Sequence, residues 1–344
     1  MFNSTFLDAI QHKQTPYTPI WLMRQAGRYQ AAYRKIKEKY SIIDISTIPE
    51  LCAEVTLLPI KQFNLDSAIV FSDILIPLKP MGISFEYKAG YGPLIHNPVK
   101  DIKDVEKLKP VNPEQDLKFT GDALKILEQE LNVPCIGFVG APFTLASYMI
   151  EGGPSKNYIK LKKFMYNQTP AWNALMDKLA VDMANYLNFQ IESGAAVVQI
   201  FDSWIGILDK TDYLEYIYPH MQKMFSIIRE KNADTPIILF GVNTAHLLST
   251  FKTLQPNVIG IDWKTDLMDA WQSLGVNEVA VQGNLDPTVL FASQDIIKQK
   301  AKSILDSVNH TPGHIFNLGH GILPGTPEDN VKFLVDFVHE YSAR

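Results

Sequence analysis

The chain has 344 residues, of which 46% are apolar, 20% charged and 11% aromatic. That balance excludes disordered, collagen-like and fibrous classes, and the length fits one large domain able to bury a core without disulfides. Lys and Arg number 32 against 37 Asp and Glu, a formal charge of -5, which argues against a nucleic-acid coat or a polybasic membrane module but leaves room for a local anion site.

Residues 1–17 carry no basic segment followed by an apolar stretch and read as an extension ahead of the first strand. Eight short β-rich runs follow, at 18–23, 67–71, 135–139, 196–201, 237–240, 258–261, 278–281 and 314–317. Several are apolar nearly throughout, the pattern of parallel strands covered on both faces. Residues 79–134 are too long for one helix, and within them 83–87 and 91–95, around Ala89 and Gly90, read as a small hairpin. Thr169 and Pro170 open a helix running to about Glu192, with Pro suited to the first helical position. Thr326 caps the last helix, Glu328 and Asp329 suit its N-terminal dipole, and Val331, Leu334, Val335 and Val338 form one apolar stripe. The alternation predicts a single-domain (β/α)8 TIM-type barrel with the 1–17 extension and the 79–134 insertion. A doubly wound open sheet is the alternative.

Cys52 and Cys135 are the two cysteines and form no CxxC, which excludes a disulfide framework and a multi-cysteine metal site. No set of His, Cys and Asp has metal-ligand spacing, so no metal is expected. Neither GxGxxG after a strand nor GxxxxGK[ST] occurs, and no run approaches the roughly 18 apolar residues of a membrane span. The chain is expected in the cytoplasm, away from nucleic acid and membrane.

A barrel gathers its chemistry at the C-terminal ends of its strands. Arg24 and Arg28 follow the first run, Asp73 the second, Asp202 and Ser203 the fourth, and Gly319-His320-Gly321 the last. Four residues apart and near an expected helix start, the two arginines would repel each other on one helical face and oppose the dipole. An anion bridging their guanidinium groups removes that conflict, and arginine grips carboxylates bidentately. Lys37 adds to the same positive field if the chain curls back. Asp73 emerges from a buried strand, where a carboxylate near a basic cluster stays ionised and faces N–H donors or a developing cation; a helix cap or a salt bridge to Arg24 or Arg28 is the plainer role. The glycines beside His320 let the backbone approach a ligand closely. Ser203 has no triad partner, and Asp286 reads as a turn residue.

The run Pro19-Ile20-Trp21-Leu22-Met23-Arg24-Gln25-Ala26-Gly27-Arg28-Tyr29 resembles the N-terminal signature of the uroporphyrinogen decarboxylases, and residues 137–153 are similar to their second signature. Blocks around Asp73, Ser203, Asp286 and His320 resemble other family blocks in order. The resemblance implies a homodimeric barrel without metal or organic cofactor. It implies removal of the four acetate carboxylates of uroporphyrinogen III, giving coproporphyrinogen III and CO2. The implied substrate-binding positions are Arg24, Gln25, Ala26, Gly27, Arg28, Asp73, Tyr148, Ser203 and His320, with Asp73 catalytic. Lys37 stands where some relatives carry another arginine, which keeps the charge and loses the fork. A guanidinium is a poor acid, so Arg24 is a weak choice of proton donor; Tyr148 and His320 are expected to hold or orient carboxylates. Two rivals stand beside this reading. A corrinoid-linked methyltransferase would need zinc on a His-x-Cys plus a distant Cys, and a tetrapyrrole carrier would use the same pocket without turnover.

Overall fold

The computed structural model describes residues 2–88, 90 and 92–344. Its strands, in chain order, are β1 (Ala68–Ile69), β2 (Phe85–Lys88), β3 (Gly92–Ile95), β4 (Cys135–Gly140), β5 (Val197–Asp202), β6 (Ile237–Gly241), β7 (Val258–Gly260), β8 (Ala280–Leu285) and β9 (His314–Leu318). Seven of them form one curled parallel sheet in the order β1-β4-β5-β6-β7-β8-β9, and β2 pairs with β3 in a separate antiparallel hairpin. Helices link successive strands, which makes this an α/β fold with one main sheet.

Seven of the eight expected runs appear as strands of the main sheet; the first, 18–23, contributes a single parallel bridge, Ile20 to Phe316. Side chains stand in for a neighbouring strand there. Ile20 N–H donates to Asp66 Oδ2 (2.8 Å), Leu22 N–H to Gln25 Oε1 (3.1 Å) and Met23 N–H to Asn317 Oδ1 (3.1 Å). A ladder cannot propagate when its donors go to side chains. The seventh run extends to Leu285, because Gly283, Asn284 and Leu285 pair with Phe316, Asn317 and Leu318.

The hairpin inside 79–134 is present, one or two residues from its expected limits. Ala89 and Tyr91 of that expectation lie outside the described residues. The helix Thr169–Glu192 runs as expected, with Pro170 in its first turn. The last helix, Glu328–Tyr341, buries Val331, Leu334, Val335 and Val338, but Thr326 does not cap it. Its hydroxyl donates back to Leu323 O (2.8 Å), which takes it away from the helix N–H groups.

Residues 1–17 do more than precede the sheet. The short helix Thr5–Ile10 packs Phe6, Ala9 and Ile10 against Ile136, Val197, Ile238, Val258, Ala280 and Ile315, all at or next to the first residues of their strands. It plugs the N-terminal end, at roughly 1.5–3 kcal/mol per large buried side chain. Asp66 fastens this end: buried to 1% exposure, it accepts from Asn3 Nδ2 (3.0 Å), the Tyr17 hydroxyl (2.9 Å) and Ile20 N–H, and bonds His339 Nε2 (2.8 Å).

Asp66→Ala strands all four partners at once. The expected loss is about 3 kcal/mol of unfolding free energy at neutral pH, read from urea denaturation; a loss below about 1 kcal/mol would contradict the fastening role.

Candidate active site

Residues 23–30 form turns, and the next helix begins only at Ala31, so Arg24 and Arg28 do not share a helical face. Arg24 instead has φ of 61°, a left-handed conformation that a β-carbon makes costly. Gln25 holds this turn. It is 1% exposed, its Oε1 accepts Leu22 N–H, its Nε2 donates to Ser67 O (3.1 Å), and its own carbonyl accepts the Tyr29 hydroxyl (2.6 Å). A Gln25 amide bound at both ends has no donor aimed at a ligand. Ala26 and Gly27 are half-buried on the same turn, and Gly27 N–H donates to Gln30 Oε1 (3.3 Å).

Four of the expected residues converge electrostatically. The Arg24 charge reaches Asp73, Tyr148 and His320, and the Asp73 charge reaches Tyr148. Burial raises the Asp73 carboxyl above its ordinary value, with the Tyr87 hydroxyl, the Leu75 N–H and Arg24 opposing it. One oxygen, Oδ1, accepts Leu75 N–H (2.9 Å) at the turn into the 3-10 segment Ile76–Leu78. Part of the plainer capping role is therefore real. The salt-bridge alternative is not: among the described residues, no ion pair includes Asp73, Arg24 or Arg28. Burial also raises the Tyr148 phenol and lowers the His320 imidazole, which Arg24 depresses further, so both are neutral near pH 7.

Arg28 is exposed and bears on Tyr33 instead. Lys37 is exposed and turned elsewhere, its Nζ donating to Tyr40 O (3.4 Å) and its charge felt by Asp44. Ser203 follows β5 half-buried, and the adjoining Trp204 packs edge-on against Tyr148 with ring centroids 6.0 Å apart. His320 meets Trp263 edge-on at 6.1 Å. The flanking glycines serve the protein's own packing. A β-carbon on Gly319 would come within 2.2 Å of Trp263 N, and one on Gly321 within 2.4 Å of Arg24 Cδ.

Two further groups stand at this end: Tyr87, which escaped the sequence reading, and Asp202, which entered it only as a residue following the fourth run. Tyr87, on β2, has a buried hydroxyl near Asp73 that does not reach hydrogen-bond geometry with it, and its phenol is raised by burial and then by the charge of Asp73. Nothing in the sequence marks a hairpin tyrosine as belonging to a site on another strand. Asp202, the last residue of β5, is 1% exposed; its Oδ1 accepts the Thr144 hydroxyl (2.8 Å) and its Oδ2 has no partner. Burial pushes its pKa up to about 7. Its signal was an acid ending an apolar strand, which also describes Asp73.

Two open cavities lie away from this cluster. One of about 230 Å3 sits between Leu305, Asn309 and Tyr341, and one of about 390 Å3 between Tyr29, Arg34 and Glu328. Shifted titratable groups concentrate instead around Asp73. Among the described residues, no group of three or more His, Cys, Asp or Glu is placed to hold a metal ion. No helix among them is long and apolar enough to cross a membrane.

Residues 1–341 match the family described as Uroporphyrinogen decarboxylase (URO-D). The chain is 50% identical over 343 residues to a curated uroporphyrinogen decarboxylase of Staphylococcus aureus (strain JH9), covering 99% of both chains. A solved methyltransferase from Methanosarcina mazei has the same fold, with a TM-score of 0.80 over 99% of each chain at 20% identity. At that identity the likeness speaks for the fold alone.

The raised pKa of Asp202 fixes a sign for stability. Because the folded value, about 7, exceeds the ordinary carboxylate value of 3.8, ionisation is disfavoured in the fold. The stabilising contribution is complete below about pH 4 and is lost as pH rises to 7. Asp202→Asn, which keeps an acceptor for Thr144, is expected to gain stability relative to the parent across that window. Parallel denaturation curves at pH 4 and pH 7.5 check it, and a constant difference would contradict it.

Proposed function

This chain belongs to the uroporphyrinogen decarboxylase family, and we propose that the cluster around Asp73 is where it converts uroporphyrinogen III to coproporphyrinogen III with release of four CO2. The observation that carries the site assignment is a partly dehydrated Asp73 carboxylate sharing its surroundings with Arg24, Tyr148 and His320. The substrate has eight carboxylates on its rim and four pyrrole N–H groups inside. Arg24 and Arg28, neither paired with a protein acid among the described residues, suit the rim, and the free oxygen of Asp73 suits the N–H groups.

Decarboxylation begins with a proton adding to a ring carbon of one pyrrole, which makes the ring cationic. The bond between the acetate methylene and its carboxylate then breaks. CO2 leaves, and the electron pair flows into the cationic ring as an exocyclic double bond. A second proton then adds to the methylene to make a methyl group, and loss of the first proton from the ring carbon restores the pyrrole, so one proton is consumed for each CO2 released. The ring is its own electron sink, so this scheme calls for no metal or organic cofactor. An ionised Asp73 in low-dielectric surroundings stabilises the cation more than the neutral ground state. The neutral Tyr148 phenol and His320 imidazole act as hydrogen-bond donors to carboxylates, Ser203 adds a hydroxyl, and Gln25 shapes the turn that Ala26 and Gly27 expose. Lys37 is kept as an outer positive charge only.

We also read the curled sheet as a barrel closed by segment 18–23, with 1–17 as its bottom plug and 79–134 as an insertion within one domain. In support, Phe316 N–H donates to Pro19 O (2.8 Å) on one side and Asp66 N–H to Ile20 O (2.9 Å) on the other. From the family resemblance, we infer a homodimer working in the cytoplasm. The methyltransferase reading lacks its zinc ligands among the described residues.

Incubating the purified protein with uroporphyrinogen and counting carboxylates on the product separates enzyme from carrier. Asp73→Asn is expected to cut turnover by at least about 100-fold with KM changed little. In the parent, kcat/KM should climb with pH on the acid side, with a midpoint above the ordinary carboxylate range, because burial raises the Asp73 pKa. Near-normal turnover by the variant would reject the role. Arg28→Ala is expected to raise KM about tenfold and release partly decarboxylated intermediates; unchanged affinity and product distribution would reject the clamp.

A further inference from the structure

Met23, the residue before Arg24, is held at both its N–H and its carbonyl by β9 and the chain that leaves it. Asn317 Oδ1 accepts Met23 N–H (3.1 Å), and Ile322 N–H donates to Met23 O (2.9 Å). Between these two anchors runs Gly321. A β-carbon there would lie 2.4 Å from Arg24 Cδ, 2.7 Å from Cγ and 3.0 Å from Nε. All three nearest atoms belong to one flexible side chain. At Gly319, by contrast, the β-carbon would strike Trp263 N and Cα. Gly321 is also absent from the residues with positive φ, so its own backbone does not require glycine. The missing side chain makes room for the stem of Arg24, beside His320.

We propose that Gly321 is a positioning residue that sets how far the Arg24 guanidinium reaches toward the substrate carboxylates. This rests on Arg24 acting as a carboxylate clamp. The same short segment pins the backbone at Met23, just before Arg24, and leaves a slot for the Arg24 side chain, so the stem of that side chain follows the slot. A methyl group in the slot leaves the fold intact and deflects the stem. The grip on carboxylates weakens while the chemistry at Asp73 is untouched.

The test measures steady-state decarboxylation of uroporphyrinogen and thermal stability for four proteins: the parent, Gly321→Ala, Arg24→Ala and the double variant. Gly321→Ala is expected to raise KM about tenfold with kcat within about threefold and Tm close to the parent. In the Arg24→Ala background the added methyl should change KM by less than about twofold, since it acts through a side chain no longer there. An unchanged KM for Gly321→Ala, with Arg24→Ala raising KM, overturns the proposal and spares the clamp. An equal penalty in both backgrounds overturns it too. An Arg24→Ala protein with unaltered KM overturns the clamp itself. Should Gly321→Ala fail to fold, the double variant is expected to fold; if it also fails, the methyl meets something other than Arg24 and the proposal falls.

Discussion

Most of the hydrogen-bonded backbone N–H groups of segment 18–25 donate to side chains. Asp66, Gln25 and Asn317 supply the acceptors that a neighbouring strand would otherwise provide. Regular pairing would have fixed Arg24 in extended geometry, facing in or out by simple alternation. Freed from a ladder, the chain turns sharply enough to place Arg24 at φ 61°. That conformation is costly in isolation and persists because the contacts on either side of it leave no alternative. The position of the guanidinium is thus a consequence of buried amides and one buried carboxylate.

The two ends of the sheet divide the work. At the N-terminal end, a short helix and the Asp66 hydrogen bonds exclude water with apolar packing and satisfied polar groups. At the C-terminal end, polar groups are left less than satisfied. Tyr87 and Asp202 have buried oxygens without partners, and Asp73 has burial working against its charge. Each costs stability, and the cost is borne by the packed end. Around that carboxyl, the Tyr87 hydroxyl, the Leu75 N–H and the Arg24 charge favour its ionised form against burial.

Much of this was legible from residue order. Apolar runs announced seven strands, the Thr169–Glu192 helix and the buried stripe of the last helix, because burial leaves a periodicity that one chain carries by itself. Arg24, Asp73, Ser203 and His320 drew notice through their places after β-rich runs, and Tyr148 only through the family resemblance. What misled was local grammar. Arg24 and Arg28 at a spacing of four read as a helix, and Thr326 as a cap. Asn317, far along the chain, holds Met23 beside Arg24, while the nearby Leu323 carbonyl takes the Thr326 hydroxyl.

The sequence by itself determined the α/β class, most strand positions and the chemical inventory of the mouth, since those follow from side-chain polarity and its spacing. Only the tertiary structure decided that Gln25 faces inward, that Tyr87 joins Asp73 from a hairpin, and that Gly321 yields its space to Arg24. Those outcomes depend on atoms from distant segments meeting within a few ångströms, and no local pattern encodes who will occupy the other side of a contact.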